Sequence, residues 1–145
     1  MGGGREALNT QVLAVGKIKA PFADAEAHYR KLLGRYQPLT VVEARDDADL
    51  LRKLPEEGRV VALDREGAAL DSLGWSRWLD ERRLEARDIW LMIGGPTGLP
   101  AQALDAAQER ISLGPPTLPH QLARVVVLEQ LFRAAKILAG EPYHY

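Results

Sequence analysis

Residues 88–98 read DIWLMIGGPTG, the most apolar strand-like run of the chain closed by three glycines. Asp88–Ile93 is expected to be a strand, and Gly94, Gly95 and Gly98 the turn that leaves it. Glycines in such a turn let backbone approach a ligand closely and present unshielded N–H groups. The carboxyl end of a parallel strand is also where open α/β sheets place their ligands. The same text suits a plain tight turn between strand and helix. It is not a phosphate-binding P-loop, because no Gly-Lys-Ser/Thr follows, and it is not GxGxxG.

On either side, short β-branched runs alternate with helix-period segments, the signature of a parallel α/β sheet. Further strands are expected at 11–15 (QVLAV), 39–43, 59–64 (RVVALD) and 111–113. Helices are expected at 21–36, 46–54, 72–83, 99–110 and 120–139. No repeat, low-complexity block or linker interrupts the pattern. One domain is expected over residues 10–145, with residues 1–9 (MGGGREALN) a flexible leader.

Composition narrows the function. The chain has 145 residues, enough to bury roughly two-thirds of its unfolded surface. It has no cysteine, which excludes disulfides, thiolate metal sites and cysteine nucleophiles. No apolar run reaches the roughly 20 residues of a membrane span, so a cytoplasmic protein is expected. The three histidines, His28, His120 and His144, have no metal-ligand spacing, and no metal is expected. His28, inside the first helix, reads as a surface residue. Nineteen Lys and Arg against twenty Asp and Glu give a net charge of −1. A polyanionic partner would therefore have to be held by local clusters of cations, by two subunits joined, or by shape.

Three more segments carry possible chemistry. Residues 113–120 read LGPPTLPH, a connector stiffened by three prolines that leaves carbonyls facing outward. It suits the edge of an adenine ring, or a stiff spacer before a helix. The stretch 141–145, EPYHY, can stack on a base or simply fray. The helix over 120–139 is apolar around most of its circumference, with Glu129, Arg133 and Lys136 its polar stripe. Such a helix is buried on more than one side, by its own domain or by a second subunit. Arg133 lies four residues after Glu129 and is expected to pair with it. Arg124, four after His120, and Lys17, past the first strand, can meet phosphate or water.

LAVGK (13–17), ALD (62–64), IGGPTG (93–98), TLPHQLARVVVLEQLFRA (117–134) and EPYH (141–144) occur in this order across almost the whole chain. In that combination the sequence closely resembles the RlmH (YbeA) family, ribosomal large-subunit methyltransferases of the SPOUT class. The resemblance implies a parallel-sheet α/β domain with a C-terminal trefoil knot, assembled as a homodimer. It implies S-adenosyl-L-methionine as cofactor and methylation of N3 of a pseudouridine in helix 69 of 23S rRNA, within the 70S ribosome. By position, the cofactor residues would be Leu63, Gly94, Gly95, Leu113, Gly114, Pro115, Pro116, Thr117 and Leu118. The catalytic or RNA-side residues would be His120, Arg124, Arg133, Tyr143 and His144.

The chain departs from the family pattern in three places: residues 1–9 are additional, the stretch between the second and third strands is short, and Tyr145 stands where a final cation is usual. The last puts a phosphate contact by the tail in doubt. Methyl transfer to a ring nitrogen needs alignment and loss of the N3 proton, which favours a base near neutrality. His144 is the first candidate and His120 the second, with Arg124 or Arg133 to stabilise negative charge on the ring. Two other readings remain: a SPOUT relative acting on tRNA, and a non-catalytic dimeric RNA-binding or assembly factor.

Overall fold

The computed structural model describes residues 9–142. Its elements are β1 (Thr10–Val15), α1 (Phe22–Leu33), β2 (Leu39–Ala44), α2 (Asp47–Arg52), β3 (Arg59–Ala69), α3 (Ser72–Leu84), β4 (Ile89–Ile93), α4 (Ala101–Ala106), β5 (Glu109–Ser112) and α5 (His120–Leu138). The strands form one sheet in the order β2-β1-β4-β3-β5, and every pairing is parallel. The apolar run 89–93 is thus the central strand.

Strand alternation sorts the side chains into two cores. Val12, Ala14, Ile89, Leu91 and Ile93 join one core with residues of α1, α3 and α5. Leu13, Val15 and Met92 join the other with residues of α2 and α4. The result is three layers, with both sheet faces covered, as a parallel sheet requires. Caps punctuate the helices: Asp46 accepts from the Asp49 amide (2.8 Å) and Asp71 from the Gly74 amide (2.7 Å).

Within its layer α5 packs against both α1 and α3. Val127, Leu128, Leu131, Ala134 and Ala135 are buried, and Phe132 meets the rings of Tyr29 and Tyr36. Much of its apolar circumference is therefore answered inside one chain. Leu122, Val125 and Val126 stay only half-buried on the outward side, ahead of Glu129 and Arg133.

Three elements differ most from their expected extents. α1 stops at Leu33, with Gly34 as its C-cap. α4 spans Ala101–Ala106 rather than 99–110: Pro100 is its N-cap, and Gln108 exchanges two hydrogen bonds with Val60 (2.8 and 2.7 Å). That exchange draws residues 109–112 onto the sheet edge, so tertiary pairing outweighs the local helical preference of AQER. β3 runs past Asp64 to Ala69, because the chain bulges between Leu63 and Ala68 and then resumes its pairing with β5.

At Gly67, in the bulge, a Cβ would lie 2.5 Å from the Arg110 carbonyl carbon. Gly67→Ala should lower stability by about 1–3 kcal/mol through overpacking, visible as an earlier midpoint in urea unfolding. An unchanged midpoint would mean that β3 and β5 can separate at no cost.

Candidate functional site

The bulge after Leu63, the turn after β4 and the connector after β5 meet at the carboxyl edge of the sheet. They enclose a cleft of about 710 Å³. The DIWLMIGGPTG turn is tightly built. Gly98 N–H donates to the Gly95 carbonyl (3.0 Å), with Pro96 at the first corner, and Gly98 has φ +85°, which L side chains rarely adopt. A Cβ on Gly94 would fall 2.3 Å from the Gly98 carbonyl carbon, so the turn folds back over residue 94. A Cβ on Gly95 would press on Val15 Cγ1 at 3.3 Å, against β1. The turn and ligand-wall readings of these glycines are therefore compatible: the rigid turn is the wall.

The connector is fixed in a similar way. Buried Ser112 accepts from the Gly114 amide (3.0 Å), Gly114 adopts φ +116°, and prolines stand at 115, 116 and 119. Of the sequence-derived cofactor candidates, Leu63, Gly95, Leu113, Gly114, Pro116, Thr117 and Leu118 line this cleft. Gly94 and Pro115 do not; Gly94 is buried behind the turn. His120, half-buried in the first turn of α5, also lines it. Sequence reasoning did not single out Asp64 and Arg65, the charged pair on the bulge, or Ser112, whereas Thr97 belongs to the IGGPTG turn that it did. Nothing local marks the first two, because the bulge exists only through β3–β5 pairing.

Arg124 is elsewhere than expected. It is 1% exposed and faces neither phosphate nor water. Its guanidinium donates to Glu26 Oε1 through Nε and Nη2 (3.1 and 2.8 Å), to Glu43 Oε2 (2.9 Å) and to the Gly16 carbonyl (3.1 Å). It cannot reach the cleft while so engaged, so it is a brace and not a ring-contacting cation. Burial pushes the Glu43 carboxyl up, but the Ile18 amide and the Arg124 guanidinium outweigh this and hold it below its ordinary value. Arg133 pairs with Glu129 (3.0 Å) and reaches Ser72 Oγ (3.4 Å). Tyr143 and His144 lie outside the described residues, as do residues 1–8. Lys17 and His28 are exposed. Among the described residues no helix is long and apolar enough to cross a membrane, and no group of three potential metal ligands occurs.

Residues 8–144 match the family described as "Predicted SPOUT methyltransferase". The chain belongs to that family. Its relatives include proteins named ribosomal RNA large subunit methyltransferase H. That of Gemmatimonas aurantiaca is 39% identical over 94% of this chain and 99% of the relative. That of Solidesulfovibrio magneticus is 42% identical over 93% and 97%. The SPOUT fold recurs in solved structures of low identity. One is a probable methylase family protein from Haemophilus influenzae (TM-score 0.65, 10% identity, 95% of this chain and 71% of that one). Another is the SpoU methyltransferase AviRb from Streptomyces viridochromogenes, solved with AdoMet (TM-score 0.57, 14% identity, 97% and 61%).

Two expectations follow from the brace. Arg124→Met should cost about 3–5 kcal/mol, because Glu26 is left buried without a counter-charge. Adding Glu26→Leu should recover more than half of that loss in denaturant unfolding, and failure to recover would deny the pair its role. A carboxyl whose folded pKa is depressed stabilises above its unfolded pKa and loses that contribution as pH falls through the folded one. Wild-type stability should therefore fall below about pH 4.5 more steeply than that of Glu43→Gln. Parallel pH profiles of the two proteins would contradict this.

Proposed function

We propose that the chain transfers the methyl group of S-adenosylmethionine to large-subunit ribosomal RNA. The acceptor in this reading is N3 of a pseudouridine in helix 69 of 23S rRNA, on the assembled 70S ribosome in the cytoplasm. The observation that carries it is the cleft of glycine- and proline-fixed loops at the carboxyl ends of β3, β4 and β5. It sits in a chain whose near full-length relatives are named ribosomal RNA large subunit methyltransferase H.

The cleft suits the cofactor. Its volume is within the roughly 300–1,000 Å³ of small-molecule sites. Leu63, Leu113 and Leu118 give apolar walls for an adenosine, and the backbone of Gly95, Gly114, Pro116 and Thr117 can meet ring edges. Asp64 and Arg65 offer both signs of charge to an amino-acid end that carries both. Gly94 and Pro115 act from behind, by shaping the turn and the connector. When bound, the cofactor supplies an electrophilic methyl group on sulfonium.

The residues of this chain then have alignment and proton handling to do. His120 is the imidazole of the cleft wall, and its ring nitrogen can take the N3 proton as the bond forms. His144, the first proton-handling candidate from the sequence, is the other group in this role, and Tyr143 a stacking partner for the base. Arg133, held by Glu129, could approach the ring only by leaving that pair.

The course of α5 favours a homodimer. Its first turn borders the cleft, while its far end lies by Tyr36, whose hydroxyl donates to Glu141. Nineteen helical residues span about 28 Å, so Glu141 lies at the end of α5 remote from the cleft. In this reading His144 serves the cleft of a partner, and the half-buried Leu122, Val125 and Val126 form the stripe on which that partner would seat. A trefoil knot formed by the cleft loops belongs to the same reading.

The deciding experiment titrates the protein with S-adenosylmethionine and follows methyl transfer to 70S ribosomes, free rRNA and tRNA. Ribosomes should be methylated, and transfer to tRNA alone would overturn the substrate assignment. His120→Ala and His144→Ala should each cut transfer by about 10²-fold with cofactor affinity preserved. Undiminished transfer in both would remove histidine from the proton path. Light scattering should give twice the 16.0 kDa chain mass. Mixing His120→Ala with His144→Ala protomers should restore part of the activity, since one cleft of each hybrid is intact; no recovery would refute the shared site.

A further inference from the structure

The segment after β1 is fixed far more firmly than its exposure requires. Gly16 N–H donates to the Ala44 carbonyl (2.8 Å), and the Gly16 carbonyl accepts from Arg124 (3.1 Å). Gln121 clasps the next residues from both sides: its Nε2 donates to the Lys17 carbonyl (3.3 Å), and its Oε1 accepts from the Lys19 amide (2.9 Å). Between them, Ile18 N–H donates to Glu43 (2.9 Å), and the Lys19 carbonyl caps the start of α1 through Phe22 and Ala23. The two side chains displayed by this backbone are Lys17 and Lys19. Both are exposed, and neither makes a salt bridge among the described residues.

The same helical turn that grips this loop also borders the cleft. His120 and Ala123 line the cleft, while Gln121 and Arg124, one position further on, hold the loop. The loop and the cleft thus flank the first turn of one helix, whose full diameter is about 10–12 Å. On the other side, Val15 at the end of β1 lies against Gly95 of the cleft wall.

We propose that Lys17 and Lys19 form a preorganised phosphate-binding edge that takes the RNA backbone beside the base entering the cleft. The proposal rests on the methyltransferase reading and extends it to the groups that hold the substrate. A protein of net charge −1 has no global attraction for RNA, so cations must be placed where the strand passes. Fixing the backbone while leaving the ammonium groups solvated fits phosphates, which are spaced along a strand and read as charge. It does not suit an apolar or shape-specific partner.

The test compares wild type, Lys17→Ala/Lys19→Ala and Lys17→Arg/Lys19→Arg, binding 70S ribosomes and protein-free 23S rRNA across a potassium chloride series. The alanine pair should lose about 10-fold in affinity for both at low salt. The slope of log affinity against log salt should shrink by about one for each lysine. The arginine pair should bind as wild type does, and S-adenosylmethionine affinity and the unfolding midpoint should be unchanged in all three. Gln121→Leu, which keeps both lysines and frees the loop, should show a smaller loss of RNA affinity. An unchanged salt slope in the alanine pair would overturn the proposal while leaving methyl transfer by wild type intact. A loss seen with ribosomes but not with protein-free rRNA would overturn it in favour of a protein contact. A wild type that methylates no rRNA would overturn the underlying reading, whatever the lysine variants do.

Discussion

Arg124 carries a full positive charge to a position that is 1% exposed, and that burial has to be answered by groups at fixed positions. Removing an ion from water costs several kcal/mol even after relaxation, and only good geometry offsets it. Here the answering groups come from α1 (Glu26), from the end of β2 (Glu43) and from the backbone after β1 (Gly16). A shift of any of these elements leaves a buried charge short of partners. The first turn of α5 is therefore locked to the carboxyl edge of the sheet, and the cleft wall supplied by His120 and Ala123 inherits that rigidity.

The parts of the fold visible in the sequence are those that local pattern determines. The apolar run 89–93 and the alternation of strands with helices need only side-chain periodicity, and the structure has all ten elements in the expected order. IGGPTG was legible because a left-handed Gly98 and a residue 94 with no room for a Cβ are both backbone demands that leave a glycine in the text. What was illegible depends on contacts between distant segments. Residues 107–110 favour helix but pair with β3 through Gln108 and Val60. Asp64 and Arg65 reach the cleft only because β3 bulges past them. The burial of Arg124 has no local sign, since Glu26 and Glu43 lie 98 and 81 residues away in sequence.

The terminal helix illustrates how one pattern can have two causes. An apolar circumference reads as double burial, and the structure supplies one of the two covers by wedging α5 between α1 and α3. The remaining stripe, Leu122, Val125 and Val126, adjoins the turn that borders the cleft. Any partner seated there would be close to the chemistry. The length of α5 works in the same direction, because the segment that follows it leaves from the opposite end of the helix. The cleft and Glu141 thus lie toward opposite ends of the element that joins them in sequence.

That separation changes what the first turn of α5 must do. Four of the five residues 120–124 divide three tasks: His120 and Ala123 face the cleft, Gln121 holds the lysine loop, and Arg124 closes the buried brace. Helical geometry makes this possible, since neighbours are turned about 100° from one another and i, i+3 pairs share a side. It also makes the turn intolerant. A residue of altered shape at 121 or 124 would move the loop and the cleft wall together, whereas Leu122, which points outward, can be tuned for a partner without disturbing either. The cleft wall, the contact to the lysine loop and the buried brace are therefore concentrated in a single helical turn but assigned to different faces of it. A protein with no charge excess can in this way present cations beside its cleft without carrying them over its whole surface.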